Sequence, residues 1–187
     1  MKGYVQIKFL NIFGAPVQVH WSAFVAMGFL LVVSIKNPLY AIVTICSYFG
    51  IILLHEAGHA YFGRRMGYQP REIHLGLIHG RCVFDEPYSL RDECIIAWGG
   101  VTAQLIIAIP LIVLNQTTPF DRLPLTGPIV AFLGYISVII ALYNLMPVMN
   151  LDGVQAWQLI PIQIRHLRNK AAAKKTTKDI ARRLKNR

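Results

Sequence analysis

Long apolar stretches separated by short charged segments organise the chain. Asn11 to Ile35, Asn37 to Leu54, Cys94 to Leu114 and Leu123 to Leu151 contain no Lys, Arg, Asp or Glu. Each is at least 18 residues long, and a helix needs about 20 apolar residues to cross the hydrocarbon core of a bilayer. The pattern predicts an α-helical polytopic membrane protein with about four transmembrane helices, over about residues 17–35, 38–62, 94–114 and 125–147. Between the second and third runs, Arg71 to Phe84 holds two short β-favouring segments punctuated by Gly76 and Gly80. These predict a small β-hairpin on the cytoplasmic side, at the membrane surface.

Composition agrees with a membrane protein. Hydrophobic residues make up 55% of the chain and charged residues 15%, against roughly 25% charged in a soluble domain. A membrane-embedded domain over 1–164 followed by a basic tail over 165–187 is expected to account for all 187 residues, with no room for a second folded domain. Cys46, Cys82 and Cys94 are odd in number and lack CxxC spacing, which argues against a disulfide framework or a zinc ribbon. The first apolar run is longer than a signal-peptide core and reads as a retained span.

The net charge of +10 does not point to nucleic acid, because ten of the 19 Lys and Arg fall in Arg165 to Arg187. With four spans, seventeen basic residues share the side of the termini, and only Lys36 and Arg122 lie opposite. Basic flanks mark the cytoplasmic face, so an integral, multi-pass protein of the cell membrane with both termini cytoplasmic is expected. The tail then serves as an orientation signal and a surface for anionic lipid.

The chemistry lies where a membrane span should have none. His55-Glu56-Ala57-Gly58-His59 ends the second apolar run, and ionisable groups inside a span are costly enough to suggest function. His55 and His59 are four residues apart, so one helix face presents two imidazoles to a single metal ion, with Glu56 beside them. This is the arrangement of a zinc hydrolase, in which the Glu takes a proton from the attacking water and later delivers it to the leaving amine. A catalytic zinc wants three protein ligands and an open position.

Asp152 is the best candidate for the third ligand. It ends 29 uncharged residues in Tyr143-Asn-Leu-Met-Pro-Val-Met-Asn-Leu-Asp-Gly153. Pro147 should break the helix near Asn144, and Gly153 permits a tight turn beside the ligand. Depth is compatible too: His55 lies roughly 10 Å from the inner end of the second span, and the fourth span also runs inward to Asp152.

HEAGH in a span, followed some ninety residues later by Asn144-x-x-Pro147-x-x-x-Leu151-Asp152-Gly153, resembles the site-2 protease family of intramembrane zinc metalloproteases. The resemblance covers about residues 17 to 161. It implies a three-helix catalytic core and cleavage of membrane-anchored regulatory proteins within or beside the bilayer. It also implies one Zn²⁺ held by His55, His59 and Asp152, Glu56 as general base, and Asn144 as a hydrogen-bond donor to the substrate backbone or oxyanion. The family's Gly-x-x-x-Asn motif on the third span corresponds to Gly100-Val-Thr-Ala-Gln104, with Gln in place of Asn. On this match Gly100 and Gln104 are candidate substrate contacts, unless the small residues Gly99, Gly100 and Ala103 serve only close helix packing. His20 matches a His found in part of the family and is a candidate gating or substrate-side residue, or else an interfacial residue beside Trp21. An edge strand of the hairpin could pair with an extended substrate and so expose its peptide bonds.

The alternative is a non-proteolytic metal-binding membrane scaffold, which would have no use for Glu56. A multispanning zincin drawing its third ligand from a later Glu is disfavoured, because no Glu follows Glu93.

Overall fold

A β-hairpin whose second strand lies inside the first apolar run opens the chain: β1 (Tyr4–Ile12) and β2 (Ala15–His20) pair antiparallel with Ile12 opposite Ala15. The structure, a computed structural model, describes residues 3–77, 79–84 and 89–185, with side chains as far as residue 177. Lys2, residues 85–88 and the end of the tail, all used in the charge count, lie outside the described residues. The two residues between the strands, Phe13 and Gly14, have φ of 51° and 92°. This is the pair of positive angles that a two-residue turn with the right twist requires.

The hairpin corrects the first expected span. Residues 17–20 belong to β2, and the helix that follows, α1 (Trp21–Val33), has 13 residues. At 1.5 Å per residue it extends about 20 Å, short of the roughly 30 Å of a hydrocarbon core. The physical reason is period: Ala15, Val17 and Val19 are buried while Pro16, Gln18 and His20 are only half-buried, an alternation of two that builds a strand.

Three helical segments are long and apolar enough to cross a membrane among the described residues. The first is α2 (Pro38–Arg65), with Pro38 in its first turn, where no intrahelical donor is needed, and Arg64 and Arg65 at its negative end. The second is α3 (Leu90–Thr117), where the Ser89 hydroxyl accepts from the Asp92 N–H and Asp92 and Glu93 occupy the positive first turn. The third runs from Thr126 to Asn144 as α4 (Thr126–Ile129), a π-helical stretch (Val130–Ile136) and α5 (Ser137–Asn144). Large apolar side chains such as Val32, Ile106 and Ile139 are exposed on these helices and on α1, as expected where the solvent is lipid. The chain is thus a multi-pass membrane protein with a small sheet.

The predicted hairpin is present as β3 (Pro70–Leu75) and β4 (Gly80–Phe84), and it belongs to a four-stranded sheet in the order β1-β2-β3-β4. β2 and β3 are parallel, with Val17 opposite Ile73 and Val19 opposite Leu75. Parallel neighbours need a long crossover, and α1 with α2 supplies it. The buried sheet residues Val17, Val19, Ile73 and Leu75 form one core with Phe49, Ile52 and Ala60 of α2. β4, at the sheet edge, lies along the end of α2. The Phe84 ring occupies the space a side chain at Gly63 would fill, and Gly80 meets Glu56.

Beyond the third span come α6 (Gly153–Ala156), a single turn, and α7 (Leu159–Lys185).

Candidate metal centre

α2 and α3 cross at their glycines. A Cβ on Gly58 would lie 2.3 Å from the Gly99 carbonyl oxygen, and one on Gly99 would lie 2.8 Å from the Gly58 carbonyl oxygen. Only hydrogen on both sides permits this approach. It brings the His55–His59 face of α2 against the next residue of α3, Gly100. A Cβ there would stand 2.7 Å from Nε2 of both histidines.

Each imidazole is held by its other nitrogen. His59 Nδ1 donates to the Ile96 carbonyl oxygen at 2.7 Å, and His55 Nδ1 donates to Gln104 Oε1 at 2.9 Å. Both rings therefore turn Nε2 inward, with the two Nε2 atoms 3.0 Å apart. Asp152 completes the group, its Oδ2 lying 2.8 Å from His55 Nε2 and 3.3 Å from His59 Nε2. His55 and His59 are buried, and the Asp152 side chain is 26% exposed.

Asp152 is delivered by the turn that follows the third span. α5 ends at Asn144, three residues before Pro147, as expected from the missing N–H of proline. Asn150 then takes a left-handed φ of 72°. Gly153 packs so closely on the returning chain that a Cβ would lie 2.3 Å from the Leu145 carbonyl oxygen. Two tryptophans fasten this turn. Trp157 Nε1 donates to the Leu145 carbonyl oxygen at 2.6 Å, and Trp98 Nε1 of α3 donates to the Ala156 carbonyl oxygen at 2.9 Å. Their rings meet edge to face at 5.6 Å. The hydropathy reading missed both residues, because a tryptophan in an apolar run carries no sign of what its N–H will find.

The donor set fits a metal ion. With both Nδ1 hydrogens committed outward, two imidazole lone pairs and a carboxylate oxygen face one another, an arrangement that a cation or a shared proton must hold together. Their separations of 2.8 to 3.3 Å approach the roughly 3.3 Å between ligands around a tetrahedral ion with bonds of about 2.0–2.1 Å. Two imidazoles and a carboxylate are the ligand types zinc takes in catalytic sites.

Glu56, next to His55, is 3% exposed and covered by β4. A Cβ on Gly80 would lie 2.6 Å from its Oε1, and the Cys82 backbone N–H donates to its carboxylate. Burial, and then the nearby Glu56 charge, push the Cys82 thiol well above its ordinary range. Tyr48, two turns before His55 on α2, donates its hydroxyl to the Leu77 carbonyl and ties the β3–β4 connection to the same helix.

The remaining candidates are placed differently. Gly100 lies against the cluster, and Gln104 is fully buried behind His55. Asn144 is the half-buried last residue of α5. His20 stands apart from the metal group: it caps α1, its Nδ1 accepts from the Ser22 hydroxyl at 2.8 Å, and its ring packs against Tyr4 and Trp21. His74 is buried beside Glu72, 2.8 Å away.

No family profile matches the sequence. A zinc metalloprotease of Methanocaldococcus jannaschii is 26% identical over 149 residues, 79% of this chain and 43% of that protein. A Synechocystis protein provisionally named as a zinc metalloprotease is 26% identical over 179 residues, 88% of this chain and 46% of that one. The chain thus spans less than half the length of these curated relatives. Among solved structures, a site-2 protease from Methanocaldococcus jannaschii superposes with a TM-score of 0.66 at 23% identity, covering 86% of this chain and 72% of that one.

Proposed function

Because this chain is a distant relative of the site-2 protease family of zinc metalloproteases and has its fold, we propose that it is an intramembrane zinc endopeptidase. Its substrates would be membrane-anchored proteins, cut within or beside the inner half of the bilayer. The observation that carries this reading is the convergence of His55 Nε2, His59 Nε2 and Asp152 Oδ2 beside the buried carboxylate of Glu56. A scaffold that needed only the metal would gain nothing from burying Glu56 there.

In this reading His55, His59 and Asp152 hold one Zn²⁺ per chain. When bound, the ion supplies a Lewis acid and lowers the pKa of a water to about 7. Glu56 accepts the proton of the attacking water at a carboxylate oxygen and passes it to the leaving amine. Burial of the carboxylate under β4 keeps bulk water from competing for that proton. Asn144 donates a hydrogen bond to the substrate backbone or oxyanion from the end of α5. β4 is an edge strand of the sheet among the described residues and runs past Glu56, so a substrate unwound into a strand can add to that edge. That pairing presents peptide carbonyls that a helical substrate would keep hydrogen-bonded.

The end of the molecule that carries the sheet faces the cytoplasm in this proposal, in keeping with Arg64, Arg65, Arg71 and Arg81 on it. α7 leaves the same region with Ile160, Ile164 and Leu167 exposed on one face and Arg165, Arg168, Lys170, Lys174 and Lys175 among its charges. That pattern suits a helix lying on an anionic membrane surface.

The test is zinc per chain in detergent-purified protein, wild type beside Asp152→Ala, followed by digestion of membrane-anchored peptides in proteoliposomes with Glu56→Gln as the control. About one zinc in the wild type, its loss in Asp152→Ala and cleavage absent from Glu56→Gln are expected. Equal zinc in wild type and Asp152→Ala, or cleavage surviving Glu56→Gln, refutes the assignment.

A further inference from the structure

Gln104, a candidate substrate contact on the family match, is fully buried in α3. Its amide does something more specific. Oε1 lies 2.9 Å from His55 Nδ1, while Nε2 has no hydrogen-bond partner among the described residues. A carbonyl oxygen can only accept, so His55 must carry its proton on Nδ1 and turn a bare Nε2 toward His59 and Asp152. With the amide reversed, the His55 proton would sit on Nε2, 3.0 Å from His59 Nε2, and block the ligand position.

We propose that Gln104 is the positioning residue that sets the His55 tautomer for metal binding. The inference rests on the metalloprotease reading above and deepens it. Two observations support it independently of each other. Gln104 stands one helical turn after Gly100, so one face of α3 both leaves space at the two Nε2 atoms and grips the ring behind one of them. The orphaned Nε2 is the second. Burying an amide donor without a partner is costly, and a Leu or Met would fill this position in an apolar span without that cost. The position therefore carries a glutamine for its acceptor and not for its packing. The loss of the family's Asn at this place fits the same logic, because the extra methylene brings the carbonyl to a ring nitrogen on the neighbouring helix.

The experiment compares wild type with Gln104→Met and Gln104→Glu by three readouts. These are zinc affinity by chelator competition, the visible absorption of the Co²⁺-substituted protein, and the melting temperature of the metal-free protein. Gln104→Met is expected to bind zinc about 10- to 100-fold more weakly, as is usual for loss of a partner behind a metal-binding histidine. Its Co²⁺ spectrum should be altered, while metal-free stability is equal to or above wild type because the orphaned donor is gone. Gln104→Glu, which keeps an acceptor, should recover affinity to within a few-fold. Wild-type zinc affinity and an unchanged Co²⁺ spectrum in Gln104→Met would overturn the proposal while leaving the metalloprotease reading intact. A fall in metal-free melting that accounts for the lost affinity would overturn it in favour of packing. Wild-type protein that takes up no metal would sink both readings together.

Discussion

Gly100→Ala is the sharpest perturbation of this centre. The added carbon would lie 2.6 Å from His55 Cε1 and 2.7 Å from Nε2 of both His55 and His59, where ordinary contact begins at 3.4 Å. The shortfall is about 0.7 Å on both rings at once, well beyond the ±0.2 Å or so within which metal–ligand distances hold. Neither ring has an easy retreat, since His59 is tied to the Ile96 carbonyl and His55 to Gln104. At least one Nε2 must leave the cluster, and a site with two of its three ligands should bind zinc at least about 100-fold more weakly, or about 2.7 kcal/mol. The assay is competition against a chromophoric chelator, with metal-free melting as the control. The control separates Gly100 from Gly58, because a Cβ at Gly58 would meet backbone, 2.3 Å from the Gly99 carbonyl oxygen, and would have to push whole helices apart. Gly58→Ala should therefore lower the metal-free melting temperature more than Gly100→Ala, which displaces side chains and not backbone. Zinc binding by Gly100→Ala within threefold of wild type would refute the reasoning.

Other outcomes follow from the same geometry. Glu56→Gln is isosteric under β4 and should keep zinc within a few-fold while turnover on a cleavable membrane peptide drops about 10²- to 10⁴-fold; a wild-type rate would remove Glu56 as the base. Trp98→Phe keeps a ring opposite Trp157 but leaves the Ala156 carbonyl unpaired. It should cost about 0.5–1.5 kcal/mol in denaturant unfolding and weaken zinc binding along with it; unchanged values in both would mean that the tryptophan pair does not hold Asp152. The Cys82 thiol, pushed up by burial beside Glu56, should resist iodoacetamide at neutral pH in a Cys46→Ser, Cys94→Ser background until the protein is unfolded. Labelling at the rate of a free thiol would show that β4 does not cover Glu56.

The chemistry was legible in the sequence to the extent that charge is conspicuous in an apolar run. HEAGH stands out because two imidazoles and a carboxylate have no cheap structural role in a span, and Asp152 stands out as the first charge after a long silence. The β3–β4 hairpin showed itself through Gly76 and Gly80. The β1–β2 hairpin did not, for two physical reasons. Its turn is Phe13-Gly14 and not one of the Asn-Gly or Asp-Gly pairs that usually signal left-handed residues. Its inner strand also lies within an uncharged run, where an alternation of small and half-polar residues is easily absorbed into a span.

What stayed hidden in the site was hidden because it depends on two helices at once. Periodicity places His55 and His59 on one face of α2, but it cannot say what stands opposite. The sequence leaves Gly100 between a substrate contact and, with Gly99, a packing residue, and in the fold the two glycines divide the labour: Gly99 lets the helices touch, and Gly100 leaves the volume beside two imidazoles empty. Ile96, Trp98 and Gln104 then act from the same helix, through one carbonyl, one indole and one amide, on His59, the Asp152 turn and His55. None of these residues ligates a metal, and none would be marked by a motif search for ligands. α3 is therefore as much a part of the candidate metal centre as the helix that carries HEAGH, and variants at Gln104 on its inward face should change metal affinity before they change the fold.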